Sequence, residues 1–193
     1  ALKIFPKALK YEIIMLNHLA KKPGDYIKAF RKLPRRLCKL FIHAYQSYLF
    51  NEFLSLRMKR GIPLNEAQIG DYAVRLDKYG LPTQGIVKVT AASISHVNKM
   101  LRKGKMKLAI PLIGFKQQLS GGVQGEIERE ILEKENVNPQ NFYVQTIPEI
   151  SSKGGLRTIL ASISNLSIKL YENPFNSSKC IVNLSFMLNK GSY

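Results

Sequence analysis

An uninterrupted helical pattern between Pro34 and Gly61 sets the tightest limit on how this chain folds. Pro34 suits a first helical turn, and Gly61 followed by Pro63 supplies the stop. Leu37, Leu40, Phe41, Ala44, Tyr48 and Leu49 recur at three- and four-residue intervals, which predicts one long helix with a broad buried face. Arg36, Lys39, His43 and Gln46 fall on a second, polar stripe. Spacing alone does not say whether that stripe meets water or a ligand.

Before this helix, residues 8 to 22 predict a helix that ends at Pro23-Gly24, and Asp25 is placed to cap a short one that follows. A linker rich in turn residues runs from 62 to 71, and the pattern then changes. Strands are predicted at 72–76 and 85–90, around a turn at 77–82, and again at 107–112. Helices are predicted at 93–102 and 125–136; in the second, Glu128, Glu130 and Glu133 read as solvated. Residues 138 to 156 read mostly as loop. The closing part predicts strands at 156–163, 166–171 and 180–188. Helices, then mixed elements, then strands imply an α+β architecture with a compact insert. The expected division is 1–71, 72–155 and 156–193.

Bulk composition narrows the function. Lys and Arg total 30 against 13 Asp and Glu, a formal net charge of +17. Residues 1 to 61 alone carry 14 basic and 3 acidic side chains. Such an excess, set beside aromatic rings, favours a nucleic-acid partner over mere solubility in a salty or hot cytoplasm and over heparin-like or membrane-surface binding. No apolar stretch is long enough for a membrane span, and the first residues lack the apolar core of a signal peptide. Cys38 and Cys180 are expected as small buried hydrophobes, so a reducing, cytoplasmic setting fits. His18, His43 and His96 have no metal-ligand spacing, and no P-loop or GxGxxG is present. The chain begins with Ala, which suggests a processed, truncated or partly observed product.

Catalytic residues are hard to find by type. Asp25, Asp71 and Asp77 sit where Asp commonly caps helices or closes turns. Lys153-Gly154-Gly155-Leu156-Arg157 is more telling, because paired glycines admit a close ligand and flanking cations suit phosphate.

Four ordered stretches carry a resemblance. Phe41-Ile42-His43-Ala44-Tyr45-Gln46-Ser47-Tyr48-Leu49-Phe50-Asn51 resembles the long-helix signature of the tRNA pseudouridine synthase D (TruD) family in its archaeal and eukaryotic branch. Leu112 to Phe115, the Gly121 region and Glu130 to Glu135 resemble the family's insert. Ser152 to Arg157 resembles the loop leading back to the catalytic domain, and Ser185 to Tyr193 its final strand motif.

The resemblance implies a pseudouridine-synthase catalytic domain of helices plus mixed or antiparallel sheet, interrupted by a TruD-specific α/β insertion. It implies isomerisation of a uridine in tRNA, typically uridine-13, to pseudouridine. An aspartate starts that reaction, without metal or cofactor. A flipped base needs aromatic and basic walls. Carried over by position, Tyr193 is the aromatic near the target base, Arg157 a phosphate or site contact, and Lys153 and Arg36 phosphate neighbours. Gln46, Ser47 and Asn51 support the cleft from the helix. The family's catalytic Gly-x-Lys-Asp-x-x-Ala motif and its Asn-Tyr-Phe-Gly loop do not occur here. The chain therefore resembles the middle and late portion of the enzyme, with no catalytic residue of its own and inactivity alone as the expectation. The alternative is a non-catalytic RNA-binding module or subunit. Oligomeric state is not encoded in any recognisable motif.

Overall fold

The computed structural model describes residues 5–172, 174 and 178–188. Three helices open the chain: α1 (Lys10–Lys21), α2 (Tyr26–Phe30) and α3 (Arg35–Lys59). Asp25 caps α2 as expected, its Oδ1 accepting from the Lys28 N–H at 3.3 Å. Its Oδ2 lies 3.2 Å from His18 Nε2, tying α1 to α2. Pro34 precedes α3, and Gly61 at φ +68° ends it, in the left-handed region where Cβ-bearing residues are strained.

A mixed segment follows: β1 (Tyr72–Leu76), β2 (Pro82–Lys88), α4 (Ile94–Arg102), β3 (Met106–Leu112) and α5 (Gly122–Lys134). Two 3-10 turns, Pro139–Phe142 and Pro148–Ile150, lead into β4 (Gly155–Thr158). These strands form one antiparallel sheet ordered β2-β1-β3-β4. β5 (Ile163–Glu172) and β6 (Cys180–Leu188) pair separately with each other. The α+β class is as expected. Three details differ: β2 runs Pro82–Lys88 rather than 85–90, β4 and β5 stop and start elsewhere than predicted, and α5 begins at Gly122 rather than 125.

The main core lies where α3 crosses β3 and α5. Leu49 and Phe53 are fully buried against Ile110, Ile113 and Ile127, with Phe50, Ile131, Leu132 and Phe142 around them. Each such side chain stabilises the fold by about 1.5–3 kcal/mol. A second cluster, including Ala73, Val97, Met106 and Leu108, joins α4 to the sheet. A third packs Leu33 and Cys38 against Ile147 and Ile150.

The buried face of α3 is not the one its apolar periodicity predicts. Leu40, Phe41, Ala44 and Tyr48 are exposed, and the buried stripe is Cys38, Gln46, Leu49, Phe50, Phe53 and Arg57. Two of those are polar, which is why an apolar count rotates the face. Arg57 has 1% of its side chain exposed and pairs with Asp71 at 3%. The guanidinium donates from Nη1 to Asp71 Oδ1 at 2.9 Å and from Nη2 to Oδ2 at 2.8 Å. It also reaches the Pro63 carbonyl (2.9 Å from Nη2) and Gln124 Oε1 (3.1 Å from Nη1). Asp71 additionally accepts from the Gln68 N–H at 2.9 Å, the local turn bond foreseen for it. The ion pair was not foreseen.

From Gln124 the network continues to Glu128, whose carboxylate accepts from Gln124 Nε2 at 3.0 Å and from the Ser120 N–H at 2.8 Å. Glu128 is thus buried, not solvated, because α5 lays it against the chain turn at Ser120. Desolvation raises its pKa above the ordinary 4.5, and the Asp71 charge adds in the same direction. A raised acid binds its proton more tightly folded than unfolded, so stability declines as pH climbs from about 4.5. Glu128→Gln removes that slope. The difference in melting temperature between Glu128→Gln and wild type should therefore shift in the variant's favour between pH 4.5 and 7. A pH-independent difference would contradict this.

The β5–β6 ribbon is exposed along both strands, with Leu166, Ile168, Leu170, Val182 and Leu184 among its solvent-facing side chains. Cys180 is exposed on it, against expectation; Cys38 is buried as expected. Among the described residues, the β5–β6 pairing leaves both faces of the ribbon uncovered, and none of them buries Cys180.

Candidate functional site

α3 and the loop from Ser152 to Arg157 enclose a cleft of about 250 Å³. His43, Gln46 and Ser47 line it from the helix, Leu112 from β3, and Ser152, Gly154, Gly155 and Arg157 from the loop and β4.

Gln46 fixes this arrangement. It is 4% exposed, and its Nε2 donates to the Ile113 carbonyl and, at 2.9 Å, to Ser152 Oγ. The Ser152 hydroxyl lies 3.2 Å from Gln46 Oε1, so one amide grips both β3 and the loop. Backbone bonds repeat the grip, with Phe115 N–H donating to Ser152 O and Lys116 N–H to Lys153 O, both at 3.1 Å. The two chains meet through glycines. A Cβ on Gly114 would stand 2.1 Å from the Gly154 nitrogen, and Gly154 has φ +80°.

Arg157 closes the cleft from β4, where its backbone pairs with Ile110. Its guanidinium carbon sits 5.1 Å from the Phe50 ring centre, and Nη2 donates to Ser47 Oγ at 3.4 Å. The head group stays exposed and carries no ion pair among the described residues. A cation held over a ring, with donors to spare, is organised for an anionic ligand.

The structure therefore brings Gln46, Ser47 and Arg157 together, with Lys153 exposed on the same loop. Arg36 and Asn51 are exposed on α3 outside the cleft lining. Tyr193 lies outside the described residues. The sequence reading missed Ser152 and Gly114. Gly114 had a usable signal, since a Gly directly after an apolar strand often marks close backbone approach.

A second cleft, about 470 Å³, lies between Arg31, Arg35, Cys38 and Ile147. Its cations are already engaged: Arg31 with Glu149 at 3.4 Å and the Thr146 carbonyl at 2.9 Å, Arg35 with the Glu149 carbonyl at 3.4 Å. It offers an anion less than the Arg157 cleft does. Among the described residues no three His, Cys, Asp or Glu side chains converge, and no helix is long and apolar enough to cross a membrane.

Known proteins resemble this chain in sequence and in fold. A family model described as tRNA pseudouridine synthase D (TruD) matches residues 1–193. A protein of Methanococcoides burtonii named "Probable tRNA pseudouridine synthase D" is 41% identical over 193 residues, all of this chain and 44% of the relative. One of the same name from Pyrococcus abyssi is 36% identical over 194 residues, covering 45% of its length. The crystal structure of a Methanosarcina mazei protein ascribed to TruD superposes with a TM-score of 0.90 at 38% identity, over all of this chain and 44% of that one. The chain thus spans a little under half the length of these relatives. With its whole sequence and its fold both matched, the chain belongs to the tRNA pseudouridine synthase D (TruD) family.

Proposed function

We propose that the cleft between α3 and the Ser152–Arg157 loop holds tRNA while a uridine is converted to pseudouridine. In that isomerisation the C1′–N1 bond breaks, the base turns, C5 bonds to C1′, the C5 proton leaves to solvent, and N1 takes up a proton in its place. Atoms and electrons balance without a redox partner or metal. The observation that carries this reading is Arg157: an exposed guanidinium, placed over the Phe50 ring and tethered to Ser47, lining the cleft. It fits a phosphate beside the target nucleotide, with Lys153 and Arg36 as further phosphate neighbours. Gln46 and Ser47 brace the cleft, Asn51 supports it from the helix, and Tyr193 supplies the ring beside the base. Residues 1–71 and 156–193 would then belong to the catalytic unit, and 72–155 to the insertion.

Tritium release from C5-labelled uridine in tRNA tests this, using the polypeptide in its natural length. Arg157→Ala should lower kcat/KM about tenfold, the loss of one charge-assisted hydrogen bond. Full activity of that variant would sink the assignment. A second reading, RNA binding without chemistry, is favoured by one observation: residues 1 to 61 carry 14 basic against 3 acidic side chains. Under it, the natural-length protein binds tRNA with a steep salt dependence and releases no tritium.

A further inference from the structure

From Lys78 to Gly125 the chain runs for 48 residues without one Asp or Glu, while carrying 8 Lys and Arg. Acidic side chains return abruptly in α5 and just beyond, with Glu126, Glu128, Glu130, Glu133 and Glu135. Topology gathers much of the basic run at one end of the sheet. β1 ends where β3 begins: Arg75 pairs with Met106, and the Leu76 N–H donates to the Lys105 carbonyl at 3.0 Å. The β1–β2 turn, with Lys78, therefore lies beside the α4–β3 turn, with Arg102, Lys103 and Lys105. All five cations are exposed, and none forms a salt bridge among the described residues. Asp77, on the same turn, uses its Oδ1 within that turn, accepting from the Tyr79 and Leu81 N–H groups at 2.8 and 2.9 Å.

Helix chemistry explains part of this. Cations at the end of α4 offset its macrodipole, which accounts for Arg102 and Lys103. It does not account for Arg75 and Lys78, which sit on a different element, or for Lys105, which lies past the helix. Five unneutralised cations on one edge repel one another unless an anion is present.

We propose that this basic edge, Arg75, Lys78, Arg102, Lys103 and Lys105, is a second RNA-contact surface that grips a phosphate backbone away from the cleft. The inference rests on the tRNA reading above. Its position sets what it touches. Arg157 pairs with Ile110 of β3, and Lys105 lies five residues earlier along the same strand direction. At ~3.3 Å per residue that is about 17 Å. In an A-form stem, that distance spans several base pairs. The edge therefore meets a structured part of the same RNA, and a short single strand in the cleft does not reach it.

Fluorescence anisotropy on the polypeptide in its natural length tests this with two probes: an unmodified tRNA transcript and a uridine-containing single-stranded pentamer. The variant Arg75→Gln/Arg102→Gln/Lys105→Gln should bind tRNA at least tenfold more weakly at ~0.1 M salt, with the slope of log K against log salt reduced by about 2–3. Pentamer binding should stay within twofold. The matching Arg75→Lys/Arg102→Lys variant should retain tRNA affinity, because a phosphate grip needs charge rather than a guanidinium fork. Undiminished tRNA binding by the Gln variant overturns the proposal. So does an equal loss on both probes, which would mean a diffuse field instead of a second contact. In either case Arg157→Ala still weakens both probes if the cleft reading holds. If wild type binds neither RNA, the cleft reading has failed and this inference falls with it.

Discussion

Arg57→Ala should destabilise the 193-residue chain by about 3–5 kcal/mol, seen as a large drop in the urea midpoint. The cause is what the truncation leaves behind. Asp71 would keep a buried carboxylate with only the Gln68 N–H as a hydrogen-bond donor, and the Pro63 carbonyl and Gln124 Oε1 would lose their donors. The double variant Arg57→Met/Asp71→Leu removes both charges and should recover much of the loss, since the pair's attraction is set against the cost of burying it. If Arg57→Ala unfolds at the wild-type midpoint, the pair contributes nothing and the network has been misread.

Gly114→Ala should lower activity further than Arg157→Ala does. A methyl there would meet the Gly154 nitrogen at 2.1 Å and the Lys153 carbonyl carbon at 2.4 Å, both backbone atoms. No side chain can swing away, so the Ser152–Gly155 loop must move by more than an ångström. Displacement of that size costs about 10²-fold when a group must be held in a reactive geometry. The natural-length variant should show that loss in tritium release while its melting temperature falls only moderately, since overpacking costs ~1–3 kcal/mol. Wild-type turnover by Gly114→Ala would mean that the loop has no part in placing substrate.

These two positions also show where sequence reading reaches and where it stops. The extent of α3 was legible, because Pro34 and Gly61 are local signals and both act as expected. Its orientation was not. Apolar periodicity counts Gln46 and Arg57 as solvent-facing, whereas each is buried by partners far along the chain: Ile113 and Ser152 for one, Asp71 and Gln124 for the other. Phe41 and Leu40, which periodicity counts as core, stay exposed at 49% and 58%. Glu128 failed for the same reason, since a Glu on a helix next to other Glu residues looks solvated until Ser120 and Gln124 are placed against it. At the cleft, Arg157 and the glycine pair stood out from composition alone. Ser152 did not, because its role depends on Gln46, 106 residues away in sequence.

Gln46 and Arg57 are eleven residues apart on one rigid helix, about three turns and ~16 Å. Both therefore point from the same side, one clamping the cleft loop and the other anchoring the start of β1. The stretch between them acts as a ruler with a fixed phase. One residue gained or lost there turns Arg57 by about 100° relative to Gln46, so only one of the two can stay docked. Natural length variation in this segment should therefore fall in the 62–71 linker and never inside those three turns.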